Sequence, residues 1–197
     1  MRQCQIAKFC RIVALTIYIQ CVIGHCRMQN LSLNMKKIGI LSDTHGLFDQ
    51  SLKDFFAGTD ELWHAGDIGS VAVADDIADF KPLRAVCGNI DDGSVRRVWP
   101  ECQSFECENI SVFMTHIGGY PGRYEPKVLR NIIICKPALI VTGHSHILKV
   151  MYDKHHDLLH INPGAAGRYG FHKVRTAVRI EIDGDRIRNL EVGEWHK

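Results

Sequence analysis

Ile38-Gly39-Ile40-Leu41-Ser42-Asp43-Thr44-His45-Gly46 is a short apolar run that ends in a carboxylate, one spacer, an imidazole and a glycine. Apolar runs of this length, bounded by turn residues, suit a buried strand. Asp43 and His45 then stand where the chain leaves the sheet, on a loop anchored by a rigid element. They offer one hard oxygen donor and one borderline nitrogen donor to a single divalent cation. Asp-x-His occurs by chance in many chains, so its weight depends on whether the same pattern recurs.

It recurs four times. Leu62-Trp63-His64-Ala65-Gly66-Asp67 ends in Gly-Asp, and Leu83-Arg84-Ala85-Val86-Cys87-Gly88-Asn89 ends in Gly-Asn. Ile110-Ser111-Val112-Phe113-Met114-Thr115-His116 ends in a histidine. Ala138-Leu139-Ile140-Val141-Thr142-Gly143-His144-Ser145-His146 ends in Gly-His-x-His. Each strand-like run finishes on a metal-competent side chain, and strand tips that converge at one sheet edge can assemble a site.

Between these runs the pattern alternates. Leu47 to Ala57 carries apolar residues at helical spacing, and Val71 to Phe80 reads as a second helix with Asp75, Asp76 and Asp79 on its wet side. Pro82 ends it before the strand at Leu83. This β-α-β-α-β order is the signature of a parallel α/β sheet. Glu101 to Glu106 and Ile110 to Thr115 then read as a hairpin, Gly118 to Gly122 as a loop, and Glu125 to Cys135 as a helix with Val128, Leu129, Ile132 and Ile133 inward. Beyond Ile147 the chain is strand-rich, with Asp183-Gly184-Asp185 between alternating runs as a strong hairpin signal. The expectation is one α/β domain with a second, largely antiparallel sheet.

Bulk properties exclude little but point away from some partners. A net charge of +2 gives no strong pull toward nucleic acid or an anionic membrane. Eight cysteines without a Cys-x-x-Cys pair argue against a thiolate zinc clip and for free thiols in a reducing compartment, hence a cytoplasmic location. Residues 1–34 differ in character. Arg2, Lys8 and Arg11 precede an apolar run from Ile12 to Ile23, a poor signal-like segment that is short for a membrane span of ~20 residues. The expectation is an extension ahead of a true start at Met35, with a domain over 35–197 and no membrane association unless that segment is real. Homo-oligomerisation stays open.

Asp43, His45, Asp67, Asn89, His116, His144 and His146 give two carboxylates, one amide oxygen and four imidazoles. That is about what two divalent cations need if one carboxylate bridges and water fills the remaining positions. Two ions about 3.5–4 Å apart clamp a phosphoryl group and lower the pKa of water between them. A mixed O/N set without thiolate suits Mn2+ foremost, or Ni2+, Zn2+, Fe2+ or Co2+, better than Mg2+ or Ca2+. Singly, Asn89 fits a turn residue and His116 a strand-end histidine; the seven together read as ligands.

The order Asp-x-His, Gly-Asp, Gly-Asn, Thr-His, Gly-His-x-His resembles the calcineurin-like metallophosphoesterases from Lys36 to about Val192. It is most similar to their small bacterial and archaeal phosphodiesterase branch, which also includes the retromer scaffold subunit. The resemblance implies a two-sheet β-sandwich flanked by helices in four αββα layers. It implies one ion on Asp43, His45, Asp67 and His146, and a second on Asp67, Asn89, His116 and His144. Asp67 would bridge, and Asp67, Asn89 and His116 would be the catalytic residues. It implies hydrolysis of a small phosphodiester by water activated between the ions, with a non-catalytic protein-binding scaffold or a phosphomonoesterase (nucleotidase) as alternatives.

One departure matters. Many members of the wider family carry a proton-donating histidine after Gly-Asn, where this chain has Ile90. A general acid contributes typically ~10²–10⁴-fold, so phosphomonoesters with poor leaving groups are disfavoured. Asp91 either orients a ligand histidine or caps the turn. His64 reads as a supporting residue, and His155, His156, His160, His172 and His196 as surface or packing residues. Arg123 and Arg168 stand in loops that could overlook the site and grip a substrate phosphate.

Overall fold

The alternation along β1, Lys36–Leu41, sets the layering. Ile38 and Ile40 face the main core on one side, while Leu41 lies beneath helices on the other. The structure is a computed structural model that describes residues 35–197, so the expectations for residues 1–34 lie outside the described residues.

The first half follows the expected alternation: α1 (Gln50–Phe56), β2 (Glu61–His64), α2 (Val71–Phe80), β3 (Leu83–Ala85). The first helix starts later than its apolar spacing suggests. Asp49 takes the cap position and accepts the Leu52 N–H at 3.3 Å, which leaves Leu47 and Phe48 in the loop. A short α3 (Gly93–Val98) was not expected from the sequence; Asp92 caps it, and Val95 anchors it against Ala85 and Cys87. Next come the hairpin β4 (Cys102–Cys107) and β5 (Ile110–Thr115), and a ribbon of β6 (Gly119–Tyr120) and β7 (Arg123–Tyr124). After α4 (Pro126–Cys135) the chain forms β8 (Leu139–Val141), β9 (Leu148–Asp153), β10 (Leu158–Pro163), β11 (Val174–Asp183) and β12 (Arg186–His196).

Two five-stranded sheets result, ordered β12-β11-β1-β2-β3 and β4-β5-β8-β10-β9. Both are mixed, which corrects the expectation of a largely antiparallel second sheet. β5, β8 and β10 pair in parallel at its centre, and the C-terminal hairpin joins the first sheet by pairing β11 antiparallel to β1. The sheets face one another across Ile38, Ile40, Trp63, Met114, Val141 and Ile180. Leu52, Phe56 and Ile77 cover the outer face of the first sheet, and Val128 and Ile132 the outer face of the second. The helix-flanked two-sheet sandwich is therefore present. On α4, however, Ile133 is 60 % exposed rather than inward.

This topology positions the site. β1, β2 and β3 run parallel in one sheet, as do β5 and β8 in the other. Ligands in α/β sheets gather outside the carboxyl ends of parallel strands. All seven candidate ligands follow such an end. Cys87, Cys102, Cys107 and Cys135 are free thiols; Cys102 and Cys107 stand at opposite ends of β4.

Candidate metal centre

The loops that carry the ligands are stitched to one another by backbone hydrogen bonds. Asp43 N–H donates to Gly66 O at 2.9 Å, His45 N–H to Asp67 O at 3.0 Å, and Gly143 N–H to His116 O at 2.9 Å. Five candidate ligands sit in left-handed backbone: Asp43, His45, Asp67, His144 and His146, with φ from 47° to 70°. Such positions cost on the order of 1–3 kcal/mol each and persist only where the surroundings over-determine them. A Cβ at Gly88 would strike the Asp67 carboxylate, and one at Gly143 would strike Ser42 Oγ, so both positions need a residue without one.

The side chains fall into two groups with ligand atoms within 4.8 Å of one another: Asp43, His45 and His146, and Asp67, His116 and His144. In the first, His146 Nε2 lies 3.1 Å from Asp43 Oδ1 and 3.3 Å from His45 Nε2. In the second, His116 Nε2 lies 3.2 Å from Asp67 Oδ1 and 3.0 Å from Asn89 Oδ1. Asp67 stands between the groups, its Oδ2 3.9 Å from His45 Nε2. All seven candidate ligands are thus gathered at one end of the sandwich.

The donor set fits metal ions. Asp43 is fully buried, yet its Oδ1 has no hydrogen-bond partner, which is costly unless a cation compensates. His116 donates Nδ1–H to Ala65 O at 2.8 Å, which turns Nε2 toward the site, where a neutral imidazole would offer its lone pair to an ion. Burial pulls the His45 pKa below its usual value against the pull of the Asp67 and Asp43 carboxylates, which favours the neutral ligand form. Burial opposes ionisation of both Asp67 and His116, but their mutual hydrogen bond wins: the Asp67 pKa is held low and the His116 pKa is raised.

Supporting residues fix the loops. His64 accepts the Gly66 N–H at Nδ1 (3.1 Å), so its Nε2–H donates to Thr44 Oγ1 at 2.9 Å; its supporting role is as expected. Asp91 resolves in favour of the turn. It accepts Gly69 N–H at 2.8 Å and Gly88 N–H at 2.7 Å, bolting the loop after β2 to the loop after β3. His172 is not the packing residue expected, because its Nδ1 lies 3.3 Å from His146 Nδ1. No spacing rule reveals that contact; the path of the 164–173 loop creates it. His160 and His156 are packing residues, partnered by Thr142 and Asp153. Arg123 is exposed and pairs across the small ribbon with Tyr120. Arg168 lies beside Tyr169, whose ring centre stands 5.0 Å from that of His45 at an interplanar tilt of 53°, and its charge acts on Asp49. Neither arginine belongs to a ligand group.

Comparison with known proteins gives the family and the fold. Residues 35–185 match the family model for the calcineurin-like phosphoesterase superfamily domain. The chain belongs to that superfamily. A probable metallophosphoesterase from Methanothermobacter thermautotrophicus is 28 % identical over 156 residues, 76 % of this chain and 88 % of the relative. Among solved structures, Vacuolar Protein Sorting 29 from Cryptosporidium parvum superposes with a TM-score of 0.65 at 16 % identity, covering 83 % of this chain and 99 % of that one. An archaeal phosphodiesterase superposes at 0.60 with 22 % identity, covering 80 % and 99 %. At these identities both structures speak to the fold. No helix among the described residues is long and apolar enough to cross a membrane.

Proposed function

We propose that this superfamily member is a metal-dependent phosphodiesterase that uses two divalent transition-metal ions, Mn2+ foremost, to hydrolyse a small phosphodiester. The observation that carries the reading is the station of Asp67 between the two ligand groups, with one carboxylate oxygen toward each. Bound there, two ions would neutralise charge on the phosphate oxygens and lower the pKa of a nucleophilic water. Asp43, His45 and His146 would hold one, Asn89, His116 and His144 the other, and Asp67 both.

Ile90 shapes the preference among esters. Its side chain is 45 % exposed and offers no proton, while its N–H is committed to Asp67 Oδ1 at 3.1 Å. A leaving group that departs without protonation is favoured, which supports activated diesters over phosphomonoesters.

The test compares bis-p-nitrophenyl phosphate with p-nitrophenyl phosphate in the presence of Mn2+ or Ni2+. Diester turnover at least tenfold above the monoester, abolished by Asp67→Asn, is expected. Preference for the monoester would favour a phosphomonoesterase. Turnover of neither would favour a protein-binding scaffold, the reading to which the likeness to Vacuolar Protein Sorting 29 lends support.

A further inference from the structure

The candidate ligands after β1, β2, β5 and β8 stand in loops joined by backbone hydrogen bonds, His45 N–H to Asp67 O and Gly143 N–H to His116 O among them. The turn after β3 differs. None of the backbone-to-backbone hydrogen bonds among the described residues joins Gly88, Asn89, Ile90 or Asp91 to another ligand loop. Asn89 and Ile90 are also exposed. Asn89 nevertheless brings its Oδ1 to 3.0 Å from His116 Nε2. A neutral amide oxygen serves an ion well only where its place is held beforehand.

Side chains hold this turn from three directions. Asp91 Oδ2 accepts the Gly88 N–H at 2.7 Å and closes the turn on itself. Asp67 Oδ1 accepts the Ile90 N–H at 3.1 Å. Arg96 supplies the third hold: its Nε–H donates to Asp91 O at 2.8 Å and its Nη2–H to Gly88 O at 2.6 Å. Those two carbonyls stand at the two ends of the turn, with Asn89 and Ile90 between them. One planar guanidinium therefore spans the segment that presents Asn89.

Arg96 is itself fixed. It lies on α3, where Asp92 Oδ1 accepts the N–H groups of Ser94 and Val95 at 2.8 and 3.2 Å. Its own N–H donates to Asp92 O at 3.0 Å, and buried Val95 seats the helix against Ala85 and Cys87. Its Nη1 lies 3.7 Å from Glu101 Oε1 and 3.8 Å from Cys87 Sγ.

We infer that Arg96 is a positioning residue for one of the two ions: it holds the Gly88–Asp91 turn so that the Asn89 amide oxygen is in place beside His116. The inference rests on the two-ion reading and adds to that site a residue that is itself no ligand. Lysine keeps the charge but not the planar fork, so it replaces arginine only in part.

The test is titration calorimetry of the metal-free full chain with Mn2+, with urea midpoints measured alongside. Arg96→Met should weaken uptake of one ion about tenfold or more and leave the other unchanged, and Arg96→Lys should fall between. Asn89→Ala should weaken the same ion, and adding Arg96→Met to it should change that affinity by less than about twofold, because the two residues act as one unit. Lys127→Met removes a cation from the same Glu101 carboxylate, 3.4 Å away, and should leave both ions as in the parent.

A lower urea midpoint with unchanged Mn2+ uptake overturns the inference. So does equal weakening of both ions, an equal effect from Lys127→Met, or a full further loss on top of Asn89→Ala. If Arg96→Met does not fold, Arg96→Lys decides, and parental affinity for both ions overturns the inference. If the unmodified chain takes up fewer than two ions, the two-ion reading has failed as well. If it takes up two and Arg96→Met binds both as tightly, only the role of Arg96 has failed.

Discussion

Nδ1 of His146 lies 3.3 Å from Nδ1 of His172, whose Nε2 lies 3.0 Å from the carbonyl oxygen of Gly167. The carbonyl can only accept, so His172 donates Nε2–H to it and accepts from His146 at Nδ1. His146 thereby keeps an unprotonated Nε2 facing Asp43. Burial lowers the His172 pKa, which keeps it in the neutral form that this relay needs.

Loss of such a partner typically costs ~10–100-fold in metal affinity. His172→Ala should weaken Mn2+ binding by about that factor in a calorimetric titration, with the metal-free melting temperature little changed. An unaltered Mn2+ affinity would show that His146 needs no support from this loop.

Asp43 is a candidate for a trade between stability and binding. Its Oδ2 accepts the His144 N–H at 3.0 Å, while Oδ1 is buried and unpartnered. An asparagine can keep the first bond and turn its amide toward His146 Nε2, which lies 3.1 Å from Oδ1. Asp43→Asn should therefore stabilise the metal-free protein by roughly 1 kcal/mol in urea unfolding, while Mn2+ affinity drops at least tenfold. Destabilisation of the metal-free form would mean that the buried carboxylate is already satisfied.

Much of the architecture was legible because period-two and helical patterns report local burial. Ile38 and Ile40 face the core because they alternate with Gly39 and Leu41, and the candidate ligands after β1, β2, β3, β5 and β8 could be picked out from strand tips alone. What escaped depends on long-range pairing. Nothing in the 174–183 segment says that it will lie beside β1 rather than extend the second sheet. Local periodicity also placed Ile133 inward on α4, where the sheet covers only the stripe of Val128 and Ile132. His172 and Asp91 act across loops far apart in sequence, so their roles appear only once those loops meet.

Asp91 follows from that last point. It is 4 % exposed and accepts two backbone N–H groups, from Gly69 and Gly88. Alanine there leaves both donors without a partner, at about 1–3 kcal/mol each. Asp91→Ala should lose roughly 2–4 kcal/mol in urea unfolding, and Asp91→Asn less, because the amide oxygen still accepts one bond. If Asp91→Ala unfolds like the parent, the two loops are held by other contacts.

Acid should destabilise the metal-free protein well above the carboxylate range. Burial pushes the pKa of His64 down to about 4, and that of His160 likewise to about 4. Burial also lowers His45 and His172, whereas His116 is raised by Asp67 against its own burial. Above about pH 6.5 the lowered histidines are neutral in both folded and unfolded chains and have no effect. As pH falls from about 6.5 toward 4, the unfolded chain takes up protons that the folded chain refuses, so stability falls with pH. His64 and His160 each contribute on the order of 3 kcal/mol to that loss, and His116, one group acting in the opposite direction, offsets only part of it. Urea midpoints of metal-free protein should therefore drop steadily from about pH 6.5 to about pH 5. A midpoint constant across that interval would mean that both buried imidazoles take up protons inside the fold as readily as in water.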